Sequence, residues 1–192
     1  MARSSDHSRP AVVDAKTLKK VRVYSFDAGI RPTVFGDNET TLYAQLSYLN
    51  GVVKYDLRTG KILATSDQPL SVFARQNYTH KNEYPHNSAH HGLAISGDGT
   101  KLCDAGTIDN TVSIVSTADL SVQATIEVGA VPYWATTSRD GNYCYVSLSG
   151  DNAVSVIDYN TEREVLRIPV DRFPQRNRLA KLSDNILALL PR

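Results

Sequence analysis

Residues 92–128, GLAISGDGTKLCDAGTIDNTVSIVSTADLSVQATIEV, and residues 134–170, WATTSRDGNYCYVSLSGDNAVSVIDYNTEREVLRIPV, align end to end without a gap. Ser96-Gly97-Asp98-Gly99 lies over Ser138-Arg139-Asp140-Gly141, and Asp109-Asn110-Thr111-Val112 over Asp151-Asn152-Ala153-Val154, each pair 42 positions apart. Both copies consist of short apolar or alternating runs separated by Asp, Asn and Gly. A period of roughly 40 residues with several short strands per unit predicts an all-β fold of β-propeller type, built from four-stranded antiparallel blades. One such sheet cannot cover both its apolar faces, so the copies must stack on each other.

The pattern extends outward on both sides. Upstream, residues 30–67 match the 92–128 copy at an offset of 60, with Phe35 on Ile95, Leu42 on Leu102, Asn50 on Asn110 and Val52 on Val112. Asn50-Gly51 predicts a type I′ hairpin here. Asp56 and Asp158 open the polar turns Asp56-Leu57-Arg58-Thr59-Gly60 and Asp158-Tyr159-Asn160-Thr161, where a carboxylate accepts backbone N–H bonds. The longer offset implies an insertion over residues 68–88, and the three full blades cover 30–67, 89–129 and 130–171.

Residues 11–29 read as the second half of a blade, with runs at Ala11-Val12-Val13 and Val21-Arg22-Val23-Tyr24-Ser25-Phe26 around a polar turn. Residues 173–192 read as the first half of another. Pro174 falls 42 after Pro132, which places strands at 178–182 and 186–190, although a Leu-rich helix fits the same residues. Residues 1–10 are polar and read as a disordered leader. About four blades are therefore present, three full and two halves at the ends. Either the ends share a closing blade, or the chain is part of a larger ring completed by another segment or another copy.

Composition narrows the function classes. The 192 residues carry 21 basic and 20 acidic side chains, a net charge of +1, which implies neither a nucleic-acid footprint nor an acidic tail. No apolar run approaches a membrane span, and residues 1–10 lack the apolar core of a signal peptide. The chain as written reads as cytoplasmic, or as exported if it belongs to a longer product. No CxxC, Gly-rich phosphate loop, HExxH or GxSxG occurs.

At Asp98-Gly99, Tyr145-Val146-Ser147, Asp151-Asn152 and Val154-Ser155-Val156-Ile157-Asp158 the pattern resembles the YVTN-type β-propeller repeat of lactonase and cytochrome-d1-like seven-bladed propellers. The 130–171 unit matches best. The 89–129 unit departs at Cys103-Asp104 and Ser116, and the 30–67 unit replaces the Asp-Gly turn with Asn38-Glu39. The resemblance implies a binding platform, a sugar-lactone hydrolase or a redox-protein scaffold. Its motif residues are turns and core strands, so it implies no catalytic set.

Candidate chemistry gathers in the insertion. His80, His86, His90 and His91, four of the five histidines, fall within twelve positions beside Tyr78 and Tyr84. Three readings apply: a polar hydrogen-bonding loop, a copper or zinc site on His86, His90 and His91, or a His acid or base. Adjacent residues on a strand face opposite ways, which argues against His90 and His91 sharing an ion. Tyr133 and Trp134 start the corresponding strand of the next unit, where Trp134 serves either core packing or a ligand-stacking platform. Asp104 occupies a strand position, Val146 in the next copy, and reads as a rim residue or as a functional group beside the His loop.

Cys103 and Cys144 lie on the same strand of adjacent units but on opposite faces. They can point at each other across one interface, as two separate buried thiols or as a disulfide. Asn38-Glu39-Thr40 and Asn77-Tyr78-Thr79 are glycosylation sequons. Arg172, Arg176, Arg178 and Lys181 read as a solvated surface. These observations favour a binding or scaffold propeller over an enzyme. Its expected ligand face comprises Tyr78, His80, Tyr84, His86, His90, His91, Tyr133 and Trp134. The partner is a protein or small molecule, with self-association if the ring is incomplete, and no cofactor is expected. The alternative is a copper- or zinc-dependent redox or lactonase-like hydrolytic enzyme.

Overall fold

The computed structural model describes residues 8–36 and 38–189. A hairpin of β1 (Ala11–Val13) and β2 (Lys20–Val23) precedes three four-stranded antiparallel sheets. Sheet I contains β3 (Ile30–Phe35), β4 (Thr41–Leu46), β5 (Gly51–Asp56) and β6 (Lys61–Asp67). Sheet II contains β7 (Leu93–Ile95), β8 (Lys101–Gly106), β9 (Thr111–Ser116) and β10 (Val122–Glu127). Sheet III contains β11 (Pro132–Thr137), β12 (Tyr143–Leu148), β13 (Ala153–Asp158) and β14 (Arg163–Pro169). Strands in each sheet follow chain order. The fold is all-β and of propeller type.

The sheets stack because every middle strand is apolar on both faces. On one side of sheet II, Leu93, Leu102 and Val115 pack with Tyr43 and Val52 of sheet I. On the other, Ala94, Cys103 and Ile114 pack with Ala135, Cys144, Val146 and Ile157 of sheet III. Phe26, just after the hairpin, closes over Leu42, Leu46 and Tyr55 on the free side of sheet I. Burying each large aliphatic side chain contributes about 1.5–3 kcal/mol. The II–III interface also holds a Cys103–Cys144 disulfide, with Cα atoms 6.5 Å apart. Of the two sequence-level alternatives, separate thiols are therefore replaced by the bond. Adjacent sheets facing each other bring the two Cα atoms within a disulfide's span.

Turn chemistry accounts for the repeated polar residues. Thr100 N–H donates to Asp98 Oδ1 at 3.0 Å and Asn142 N–H to Asp140 Oδ1 at 3.1 Å. Ser96 and Ser138 hydroxyls donate to the same carboxylates. Gly141 sits at φ +81°, and a Cβ there would stand 2.5 Å from Gly97 Cα. These facing turns thus pack backbone on backbone, which only glycine permits. Asn50-Gly51 does not form the expected two-residue turn. β4 ends at Leu46 and β5 begins at Gly51, with the positive φ at Tyr48. Asn50 instead donates from Nδ2 to Gln68 O at 2.9 Å, tying the loop to the chain leaving β6.

The insertion is ordered locally. It folds into α1 (Val72–Asn77), capped by Ser71, and two 3-10 turns at Lys81–Glu83 and Pro85–Asn87. Beyond sheet III the chain departs from the expected half blade. The unit's geometry continues only to Pro174. Phe173 N–H donates to Asn152 Oδ1 as Val131 N–H does to Asn110 Oδ1, and Ser149 Oγ donates to Pro174 O as Thr107 Oγ donates to Pro132 O. Val131 and Phe173 share a left-handed φ. Residues 175–183 then run without a strand, and α2 (Asp184–Leu187) overlaps the start of the expected strand 186–190, whose residue 190 lies outside the described residues. Side chains hold the segment instead, with Asn177 O accepting from Thr136 Oγ1 and Arg178 Nη1. Of the 1–10 leader, residues 1–7 lie outside the described residues, while Ser8 bridges to Phe26.

Candidate functional site

The polar and aromatic residues around His90 and His91 separate into two environments. His90 precedes β7 and turns inward, where it is 1% exposed. Its Nδ1 lies 2.8 Å from Asp104 Oδ1 and its Nε2 lies 3.8 Å from Asp109 Oδ2. Asp104 is fully buried and also accepts from Gln45 Nε2 at 2.6 Å and Gln68 Nε2 at 2.8 Å. Ser113 Oγ donates to Gln68 Oε1, and Ser71 N–H at the start of α1 donates to Asp109 Oδ1. Asp104 is thus an internal residue and not on the rim. Hydrogen bonds from sheet I and the insertion offset the cost of burying it.

Burial by itself would depress the His90 pKa, but the Asp104 charge and hydrogen bond, with Asp109, raise it to about 9. Asp109 moves the other way: burial pushes it up, while the nearby His90 charge and the hydrogen bond from Ser71 N–H bring it below its ordinary value. His90 is therefore a cation inside a buried network that joins sheet I, sheet II and the insertion. It is sealed from any surface ligand.

His91 points the other way, as alternation along an extended chain requires. Its ring stacks on Tyr133 with centroids 4.3 Å apart and planes 13° from parallel. Trp134 lies 6.0 Å away, and His86 meets Tyr133 edge-on at 6.1 Å. Burial lowers the His91 pKa, and Arg31 and His86 add to that, so the ring is neutral at pH 7. His91 and Trp134 line a cleft of about 640 Å³ where β3, β7 and β11, the first strand of each sheet, converge, while Tyr133 backs His91 from outside the lining.

Three arginines complete that cleft. Arg31 on β3 donates from Nη2 to Ser47 Oγ at 2.8 Å. Arg176 and Arg178, from the segment after sheet III, lie over the Trp134 ring at 5.0 and 4.4 Å. Asn177 anchors the segment between them. Its Nδ2 donates to Tyr145 O at 3.2 Å and Ser147 Oγ at 3.1 Å, and its carbonyl accepts from Thr136 Oγ1. None of the residues lining the cleft is acidic, and among the described residues none of these three arginines forms an ion pair.

The remaining sequence-predicted residues serve packing and caps. Tyr84 is buried with Ala74, Ala89 and Ile108, and Tyr78 meets it edge-on at 5.9 Å. Both build the small core beneath the insertion, because amphipathic rings close an interior too short for its own apolar sheet face. His80 is exposed at the 3-10 turn, where its N–H donates to Glu83 Oε2. His86, His90 and His91 do not converge: one is exposed, one is internal and one is stacked. No group of three His, Cys, Asp or Glu is arranged to hold a metal among the described residues. Reading the sequence alone missed Arg31 and assigned Arg176 and Arg178 to a solvated surface. Only Pro174 falling on Pro132 hinted that this segment returns toward the β11 end of sheet III.

No family model and no curated protein matches the chain. Solved structures do. The chain is similar to the structure titled Kuenenia stuttgartiensis Hydrazine Synthase, with 23% identity and a TM-score of 0.63, covering 78% of this chain and 39% of that one. It is also similar to the structure titled Structure of U3-55K, with 15% identity and a TM-score of 0.59, covering 86% and 43%. The chain spans about two-fifths of the length of these structures. Both similarities are of fold, and they place the chain among β-propeller-type architectures.

Proposed function

We propose that the chain is a binding scaffold of propeller type, related in its repeat to YVTN-type propellers, that presents a ligand surface where the three leading strands meet. The observation that supports this reading is the cleft itself. Aromatic rings (His91, Trp134) and guanidinium groups (Arg31, Arg176, Arg178) from the three sheets and the trailing segment face one space large enough for a small molecule, with Tyr133 stacked on His91. Two of the three threonine hydroxyls in the lining are engaged, Thr137 Oγ1 with Ile95 O and Thr136 Oγ1 with Asn177 O. No carboxylate lines the cleft to serve as a general acid or base.

Trp134 is the sole tryptophan, so its fluorescence reports this cleft alone. A chemically mixed small-molecule library is screened by Trp134 quenching and by NMR shift mapping. Binders are expected to shift His91, Tyr133 and Trp134 together. Binders that map only elsewhere, or turnover of a lactone that is lost in His91→Ala, would overturn the scaffold reading.

A further inference from the structure

We infer that the cleft selects a small ring-bearing polyanion, a planar molecule carrying two or more carboxylate or phosphoryl groups; this rests on the ligand-binding reading above and specifies its chemistry. Charge comes first. The chain as a whole is nearly neutral, with 21 basic and 20 acidic residues, yet the cleft gathers Arg31, Arg176 and Arg178 with no acid in its lining. Such an imbalance is a local feature and not a reflection of composition. Neighbouring cations without counter-charge repel one another, and a concave site focuses their field, so an anion seated there is favoured. His91 contributes no charge at neutral pH, which makes the guanidinium groups the recognising cations.

Hydrogen-bond supply agrees with the charge. Guanidinium groups present planar forks that match carboxylate and phosphoryl oxygens. Arg31 Nε and Trp134 Nε1 are buried donors of the same side chains, with no acceptor among the described residues. Thr136 and Thr137 donate their hydroxyl protons to Asn177 O and Ile95 O, so the donors offered to a ligand are the guanidinium forks, which suit a ligand made mostly of acceptors.

The ring requirement follows from stacking. His91 and Tyr133 lie within 13° of parallel, and the Trp134 ring carries two guanidinium groups on exposed side chains. A planar ligand can take the place of one guanidinium on the indole, while the displaced arginine turns its fork onto the ligand's anionic group. A non-aromatic anion gains the charge pairing but not the stack.

The test uses benzene-1,3,5-tricarboxylate, its neutral triamide, propane-1,2,3-tricarboxylate and phenyl phosphate, each titrated by calorimetry and by Trp134 fluorescence. The aromatic tricarboxylate is expected to bind saturably, about tenfold more tightly than the ring-free one, and to weaken as salt rises from about 20 to about 300 mM. Phenyl phosphate binding above the ring-free anion would assign phosphoryl groups as well as carboxylates. Arg176→Gln with Arg178→Gln is expected to cost at least about tenfold in affinity without lowering the melting temperature, since both side chains are exposed. Arg31→Lys, which keeps the charge and loses the fork, is expected to fall between. Equal binding of the neutral triamide, or affinity indifferent to salt, overturns the polyanion and leaves the scaffold reading standing. Failure of both aromatic anions to perturb the cleft also overturns the inference. The scaffold reading itself falls if the mixed library finds nothing there, or if a lactone is turned over and that turnover is lost in His91→Ala.

Discussion

Single side chains in this protein are decided by what faces them across a sheet interface. His90 and His91 are neighbours in sequence, yet one is a buried cation against Asp104 and the other a neutral ring stacked on Tyr133. The His90 pair makes stability pH-dependent with a definite sign. Its folded-state pKa of about 9 stands above the ordinary 6.5, so its contribution is whole below pH 6.5 and is lost as the pH rises through about 9. Asp109, held low, contributes above its ordinary 3.8 and loses that as the pH falls. Urea unfolding should therefore be hardest between these limits and easier near pH 9.5. In Asp104→Asn the alkaline decline should shrink, while stability at neutral pH drops by about 3–5 kcal/mol because a buried partner is left uncompensated. An unchanged alkaline decline in that variant would remove Asp104 as its cause.

At the level of elements, strands and turns repeat while their fastenings do not. The Cys103–Cys144 bond occurs only between sheets II and III, closing a loop of 41 residues. Chain-entropy arguments give such a loop about 4 kcal/mol, so Cys103→Ala with Cys144→Ala should lose about 2–5 kcal/mol in denaturant unfolding. Retained stability in that double variant would mean the interface is held by packing alone. Gly141 is a second element-scale test. Its positive φ and its contact with Gly97 make Gly141→Ala destabilising by about 1–3 kcal/mol. Gly60, also at positive φ but 3.5 Å from its nearest neighbour, should suffer less when changed to Ala.

Across the whole molecule, three stacked sheets place their first strands around one space, and the trailing segment brings two cations back to it. Asn177 is the fastening of that segment. Asn177→Ala should speed amide exchange over residues 175–179 and weaken binding of the aromatic tricarboxylate several-fold without altering the disulfide-linked core. Exchange unchanged in the variant would show that Pro174 and the Trp134 stack hold the segment by themselves. Where the repeat stops matters as much as where it runs. Residues 170–174 reproduce contacts at the start of a further unit, and residues 175–183 then carry no strand.

Strand spacing, the Asp-Gly and Asp-Asn turns, and the opposed faces of Cys103 and Cys144 were all legible in residues 92–170, because each follows from a local period of two or from turn conformation. The 42-residue repeat adds the stacking, since each sheet has two apolar faces to cover. What lay beyond the sequence was every property set by proximity between distant segments. Asp104 is satisfied by Gln45 from a different sheet and by Gln68 from the insertion, and Arg31 meets Arg176 and Arg178 across more than a hundred residues of chain. Charge, hydrogen bonding and disulfide formation act through space over a few ångströms, so only the folded arrangement could assign them.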